Sequence, residues 1–325
     1  MKILLSRVFL FLLALGLAGL AAAQATDYPS RAIKLIVPYA PGGPDDLIAR
    51  IIGKPLGEVL GQTVLVENHP GVGGTIAMSV TARSAPDGYT LAVADTGQLS
   101  IAPGLYAKLQ YNPLSDLTPV ANVALLPYAL AINAKVPAKN LKELIELGKA
   151  RKDSLSCGST GPGGSSNLGC ILFASMAGLN ILQVPYKGLA PSVMAVLTGE
   201  VDMTVSDLAS VARYAKDGKL RLLATTSAKR TAAAPELPTI DEAGVKGYSM
   251  DIWVGVVAPA GTPKAIVDKL NAAIAKVIKT AEVQQRFKEI GYTLVGDTPE
   301  QFGAKIKADI DKFGQIIKNA NIPKQ

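Results

Sequence analysis

From Ala32 to Tyr39 the chain reads AIKLIVPY, a buried strand by its run of apolar and β-branched residues. The period then changes. Leu47, Ile48, Ile51, Ile52, Leu56, Val59 and Leu60 fall on one helical face, and Pro55 is expected to kink or split that helix. Thr63 to Glu67 reads as a second strand, followed by a Gly-rich turn at Pro70 to Gly74, a helical stretch to about Arg83 and a strand from Tyr89 to Ala94. Strand, turn and helix in repetition are the pattern of a mostly parallel sheet covered by helices.

The same grammar continues. A long strand is expected from Val120 to Asn133 despite Pro127, then a helix whose start, Asn140 to Glu143, has a capping-box arrangement. Strand-type runs around Leu155 and at Ile181–Pro185, Val201–Val205 and Leu220–Thr225 enclose helices over Ser165–Gly178 and Pro191–Leu197. After a loop at Thr231 to Pro238 comes a strand at Ile252–Ala258. Two helices follow, opened by Thr262-Pro263 and Thr298-Pro299, each a hydroxyl cap ahead of a first-turn proline. The chain has 325 residues, more than the ~250–300 at which single cores stop growing. The expectation is therefore an α/β protein of two lobes joined by crossing strands.

The first segment reads differently. Lys2 and Arg7 precede an uncharged apolar run from Val8 to Ala23, with small residues at Ala21, Ala23 and Ala25. A positive start, a short apolar centre and an Ala-x-Ala end describe a secretory signal. The run falls short of the ~20 residues of a membrane span. Residues 1–25 are read as a signal peptide cut after Ala25, with Ala23 as the other site, and no lipid-carrying cysteine follows. Cleavage takes away two basic residues and lowers the net charge from +7 to +5. The mature protein is expected to be soluble and outside the cytoplasm.

Composition removes several chemistries. One histidine and two cysteines are too few for zinc, haem or iron–sulfur sites built from those ligands, and no cofactor is expected. Basic residues come in pairs at most, which argues against a nucleic-acid partner. His69 precedes Pro70 in a loop and has no nucleophile motif nearby; a solvent-exposed loop residue is the reading. Trp253 is read as core or hinge packing. Cys157 and Cys170 are either a disulfide, suited to an oxidising compartment, or two small buried apolar residues, and both readings stay open.

Two segments share one construction. The strand AIKLIVPYA enters Pro41-Gly42-Gly43-Pro44-Asp45-Asp46 and a helix; the strand ending at Cys157 enters Gly158 to Asn167 and a helix. Glycines let backbone N–H groups converge, and a helix N-terminus adds partial positive charge, so each turn is a ready anion site. Neither continues as Gly-Lys-Ser/Thr or as Gly-x-Gly-x-x-Gly, which disfavours phosphate and dinucleotides. A carboxylate needs only a few N–H donors and hydroxyls such as Thr160, Ser165 and Ser166. Asp45 and Asp46 sit where plain helix capping is the commoner role. If Asp45 instead lined a cleft, its charge would repel a second ligand carboxylate and pair with an ammonium.

From Tyr28-Pro29-Ser30-Arg31 to Asn321-Ile322 the chain resembles the Bug family of periplasmic solute receptors, the extracytoplasmic component of tripartite tricarboxylate transporters. The segments that carry the likeness are IKLIVPYAPGGPDDLIAR (33 to 50), GQTVLVENHPGVGGTIA (61 to 77), APDGYTL (85 to 91), VPYKGLAPSV (184 to 193), TTSAKR (225 to 230) and WVGVVAPAGTP (253 to 263). The resemblance implies a type 2 periplasmic-binding-protein fold, with lobe 1 over 26–127 and 226–325, lobe 2 over 128–225, and crossing hinge strands between them. It implies a ligand site at Tyr39, Pro41, Gly42, Gly43, Asp46, Thr96, Ser159, Thr160, Gly161, Gly163, Gly164, Ser165, Asn167, Ser206 and Asp207. Asp45 stands where the family usually has a small or hydroxyl residue. Asn167 replaces a common histidine, and Ser206 holds the place of the usual aspartate, with Asp207 after it.

The expected function is capture of a small organic carboxylate, an organic acid or an amino-acid-like molecule, by hinge closure, and delivery to a membrane permease. The protein is expected to be a periplasmic monomer and not an enzyme. Two rival roles are kept: a ligand sensor docking on a sensor kinase's periplasmic domain, compatible with the same fold and ligand, and a secreted enzyme acting on carboxylic acids, which fits less well because a plausible base is lacking.

Overall fold

The computed structural model describes residues 28–324, so the expected signal peptide and its cleavage sites lie outside the described residues. The first lobe begins with β1 (Ile33–Val37), α1 (Pro44–Leu60), β2 (Val64–Asn68), α2 (Thr75–Ala82) and β3 (Thr90–Asp95). A π-helical turn over Gly97–Ile101, the short α3 (Ala102–Leu105) and β4 (Leu117–Leu126) follow. The second lobe takes β5 (Tyr128–Asn133), α4 (Leu141–Ala150), β6 (Leu155–Ser159), α5 (Ser165–Ala177), β7 (Ile181–Pro185), α6 (Leu189–Thr198), β8 (Met203–Asp207), α7 (Leu208–Lys216) and β9 (Leu220–Thr225). The chain then returns to the first lobe with β10 (Ile252–Pro259), α8 (Lys264–Val277), α9 (Ala281–Glu289), β11 (Thr293–Leu294) and α10 (Pro299–Asn319).

The two sheets repeat one order. The first runs β2-β1-β3-β10-β4-β11 and the second β7-β6-β8-β5-β9. In each, three parallel strands meet an antiparallel fourth that belongs to a crossing between lobes. β1 and β6 occupy equivalent places, with a neighbour reached in each direction, so the crevice beyond their carboxyl ends is a topological switch point where open α/β sheets bind ligands. The two Gly-rich turns are the segments that leave those two strand ends.

Packing explains the elements and several departures from the sequence pattern. α1 stays one helix through Pro55. Ile48, Ile52 and Leu56 on its inner face are fully buried, each worth ~1.5–3 kcal/mol. The carbonyl that Pro55 leaves without a donor belongs to Ile51, which is only half-buried. The expected strand from Val120 to Asn133 is two strands, because Pro127 offers no N–H for a ladder and marks the change from one sheet to the other. Asn140 caps α4 through Glu143 N at 2.9 Å, and Thr298 caps α10 in a full capping box. Thr262 does not cap α8: its hydroxyl donates to Pro259 O at 2.8 Å, and Pro263 stands at the N-cap.

Lobe 1 was expected to resume at residue 226, but the segment before Met250 packs on the second lobe. Ala234 clusters with Ala129 and Leu208, and the Tyr248 hydroxyl donates to Gly169 O at 3.2 Å. His69 is half-buried, with Nε2 3.6 Å from Glu67, rather than fully exposed. Trp253 is completely buried in β10 and donates from Nε1 to Asp309 at 2.6 Å. Cys157 and Cys170 form a disulfide that ties β6 to α5.

Candidate ligand site between the lobes

Both Gly-rich turns end in helices without a side-chain cap. Gly43 is the N-cap of α1 and Gly164 that of α5, so the first-turn N–H groups have no hydroxyl or carboxylate from the cap residue. The two turns belong to opposite lobes, and the lobes touch. Ala40 N donates to Lys187 O at 2.9 Å, the Tyr106 hydroxyl to Pro162 O at 2.8 Å, and the Ser165 hydroxyl to Asp95 Oδ1 at 2.9 Å. At Gly73, with φ 61°, a Cβ would lie 2.0 Å from Pro162 O, so only glycine lets this seam close.

Within the seam, three carboxylates and three phenols are buried together. Asp95 ends β3 and Asp207 ends β8, the equivalent position in the other lobe; Asp45 lies in the first turn of α1. All three are at most 1% exposed. The charges of Asp95, Asp207 and Asp45 all act on the Tyr128 hydroxyl, which burial above all pushes far up in pKa. Burial does likewise to Tyr39, assisted by the charges of Asp95 and Asp45, and to Tyr292, assisted by those of Asp207 and Asp45, so all three phenols stay neutral.

The acids differ in how they are held. Asp95 accepts from Tyr39 at 3.0 Å, from Ser165 and from Gly97 N; its carboxyl is raised by burial, with those bonds pulling the other way. Asp207 accepts at Oδ2 from Ser210 N at 3.0 Å and from the Tyr292 hydroxyl at 2.7 Å, while its Oδ1 has no partner within the protein. Burial raises it as well. Asp45 Oδ1 is also without a partner, and burial, then the charge of Asp95, drives this carboxyl well above the usual range. The capping, solvent-facing reading of Asp45 is thereby corrected: α1 has no side-chain cap and the group points inward.

Six buried side-chain polar atoms among the described residues lack a partner within the protein, and five belong to these turns and strand ends: Asp45 Oδ1, Thr160 Oγ1, Asn167 Oδ1, Ser206 Oγ and Asp207 Oδ1. Buried polar atoms are ordinarily paired, so a cluster of exceptions marks where a ligand or water completes the network. A cleft of about 470 Å³ reaches this region, lined on one side by Gly42, Gly43 and Pro44 and on the other by Asp207, Ser210, Arg213 and Tyr292.

The expected site residues take different parts. Gly161 and Gly163 turn the second loop with φ 85° and 82°, and the Ser159 hydroxyl braces it by accepting from Gly161 N and Asn167 Nδ2. Pro41 and Gly42 lie on the exposed rim. Two expectations are corrected. Asp46 does not face the chamber: it accepts from Gly42 N, Arg50 and Asn68, and these bonds outweigh its burial and hold its carboxyl below the usual range. Thr96 is spent on the hinge, accepting from Trp253 N at 2.9 Å. Asp95, Gln98, Tyr128 and Tyr292 were not foreseen. Gln98 clamps the first-lobe wall, donating to Gly73 O at 2.9 Å and accepting from Asp95 N.

Two α/β lobes whose sheets repeat one order through five strands, meeting at a seam and each carrying a Gly-rich turn into an uncapped helix, define a two-lobed solute-binding protein of the periplasmic-binding type. The family model described as the tripartite tricarboxylate transporter family receptor matches residues 48–322, and the chain belongs to that family, the Bug-type receptors. Protein BugT of Bordetella pertussis (strain Tohama I) is 35% identical over 303 residues, covering 93% of each chain. MatC from Rhodopseudomonas palustris, solved with bound malate, superposes with a TM-score of 0.86 at 31% identity over 89% of this chain and 100% of that one. Another R. palustris protein, solved with adipate, gives 0.87 at 34% identity over 92% and 100%. These relatives are solute receptors, and this chain is one rather than an enzyme. No helix among the described residues is long and apolar enough to cross a membrane.

Proposed function

We propose that the protein captures a small organic acid in the periplasm and presents it, in the closed form, to the membrane permease of a tripartite tricarboxylate-type transporter. The observation that carries this reading is the set of five unpartnered buried polar atoms at the two Gly-rich turns and their strand ends, with an uncapped helix N-terminus in each lobe. A carboxylate at the start of α5 takes the first-turn N–H groups and the Thr160 hydroxyl, with favourable alignment to the helix dipole. Bound structures of relatives with malate and adipate support an organic acid as the cargo.

In the open form each lobe offers half a site, and the ligand shifts the population toward the closed form by its extra contacts there. Release to a permease calls for moderate binding, submillimolar to submicromolar, roughly −5 to −9 kcal/mol. The test is calorimetric titration of refolded, ligand-free mature protein with a panel of mono-, di- and tricarboxylates and amino acids. At least one binds at 1:1 stoichiometry, and Thr160→Val weakens it by about 1–3 kcal/mol. A ligand-free protein that binds no member of the panel refutes the reading.

A further inference from the structure

We infer that the ligand carries a protonated amine as well as a carboxylate, and that Asp45 and Asp207 hold the amine between the lobes. The inference rests on the receptor reading above and narrows its substrate class to amino-acid-like zwitterions. Two buried carboxylate oxygens, Asp45 Oδ1 and Asp207 Oδ1, have no donor within the protein, and Ser206 Oγ beside Asp207 is equally unpartnered. They come from opposite lobes, α1 and the end of β8; Asp45 feels the charge of Asp207, and Pro44 beside it lines the same cleft as Asp207. An ammonium supplies three N–H donors, enough to serve both carboxylates.

Charge balance points the same way. Among the described residues, every buried charged side chain is an aspartate: Asp45, Asp46, Asp95 and Asp207, with no buried lysine, arginine or histidine to offset them. Asp46 is neutralised by Arg50 and Asp95 is enclosed by hydrogen bonds, which leaves Asp45 and Asp207 as the uncompensated pair. A second ligand carboxylate placed against that pair is repelled in a low-dielectric site, whereas a cation is attracted. A metal ion is not the cation the geometry suits, because no three His, Cys, Asp or Glu side chains among the described residues converge to hold one. The carboxylate end falls to the other chemistry of the chamber, the α5 N-terminus with Thr160.

The experiment titrates refolded, ligand-free mature protein with matched pairs: aspartate and succinate, glutamate and glutarate, 4-aminobutyrate and butyrate, β-alanine and propionate, with malate and adipate alongside. At least one amine-bearing member binds ten-fold or more tightly than its partner. Asp45→Asn cuts that affinity ten-fold or more while leaving the deaminated partner unchanged or improved. Asp46→Asn, a neighbour in the same turn, leaves the ratio unchanged, and circular dichroism confirms that both variants fold. If Asp45 instead acted as a protonated donor, the amide would replace it without loss. Succinate, glutarate, malate or adipate binding as tightly as the amines, with Asp45→Asn altering both classes alike, overturns the inference and leaves the receptor reading standing. Binding of neither class refutes the receptor reading itself.

Discussion

The two lobes share a sheet order and use it differently. In the first, the turn after β1 is held by side chains of its own lobe: Asp46 gathers Gly42 N, Arg50 and Asn68, and Asp95 at the end of β3 is surrounded by Tyr39, Gly97 and, from across the seam, Ser165. In the second, the turn after β6 is fixed covalently by Cys157–Cys170, and Thr160, Asn167, Ser206 and Asp207 keep unpaired oxygens facing inward. The first lobe spends most of its polar groups here on shape, and the second leaves four unpaired. Asp45 is the exception at that turn: a first-lobe group whose Oδ1 is left unpaired, like those of the second. On the proposed function, the first wall is preformed and the second is completed by ligand.

That asymmetry can be broken in order of effect. Gly73→Val places a side chain against the Pro162 carbonyl, and backbone cannot yield as a flexible side chain would. Closure is blocked: affinity falls about 100-fold or more, roughly 3 kcal/mol, and small-angle scattering shows no ligand-induced compaction. Reducing or removing Cys157–Cys170, whose sequence separation is 13, costs about 3 kcal/mol of stability in the chain-entropy account, read as a lower unfolding midpoint in denaturant. Asp46→Asn removes an ion pair to an arginine that is 52% exposed, so its cost is smaller, about 1–2 kcal/mol, most of it from the lost bonds to Gly42 N and Asn68.

The smallest effect is a pH trend with two opposite signs. Asp45, Asp95 and Asp207 are raised by burial, so the folded state holds protons that the unfolded state has lost; the unliganded protein gains stability as pH falls from neutrality toward the ordinary carboxylate range. Asp46 is lowered, so its contribution is full above the usual carboxylate pKa of about 4 and disappears below it. Thermal melts across that range show a maximum on the acidic side of neutrality, and Asp45→Asn flattens the rise without moving the acid limb. Unchanged melts in Asp45→Asn would place the raised carboxyl elsewhere.

Much of this was legible in the sequence wherever chemistry is local. The β1–α1 and β6–α5 units announce themselves as apolar run, glycine-rich turn and helix, and the Asn140 and Thr298 caps are written in adjacent residues. What escaped depends on partners far along the chain. Asp95, Tyr128 and Tyr292 are single residues at strand ends or in a short connection, and only sheet order brings them to one chamber. α7 is hard to see in the pattern because its nine residues lie between two strand-like runs, although Asp207 ahead of it is a proper N-cap, accepting from Ser210 N. Asp45 and Asp46 are chemically identical neighbours. One helical step separates a carboxylate clamped by Arg50 from one aimed into the chamber, and no local signal tells which is which.

The central claim is that one small acid bridges the two Gly-rich turns. It is tested most directly by a crystal structure of the mature protein with whichever panel member binds best. The account predicts a ligand carboxylate within hydrogen-bond distance, about 2.7–3.2 Å, of the first-turn N–H groups of α5 and of Thr160 Oγ1, with the other end of the ligand against the first-lobe turn at Gly42 to Asp45. A ligand bound away from both turns, with Thr160, Asn167 and Asp207 still unpaired, would contradict it.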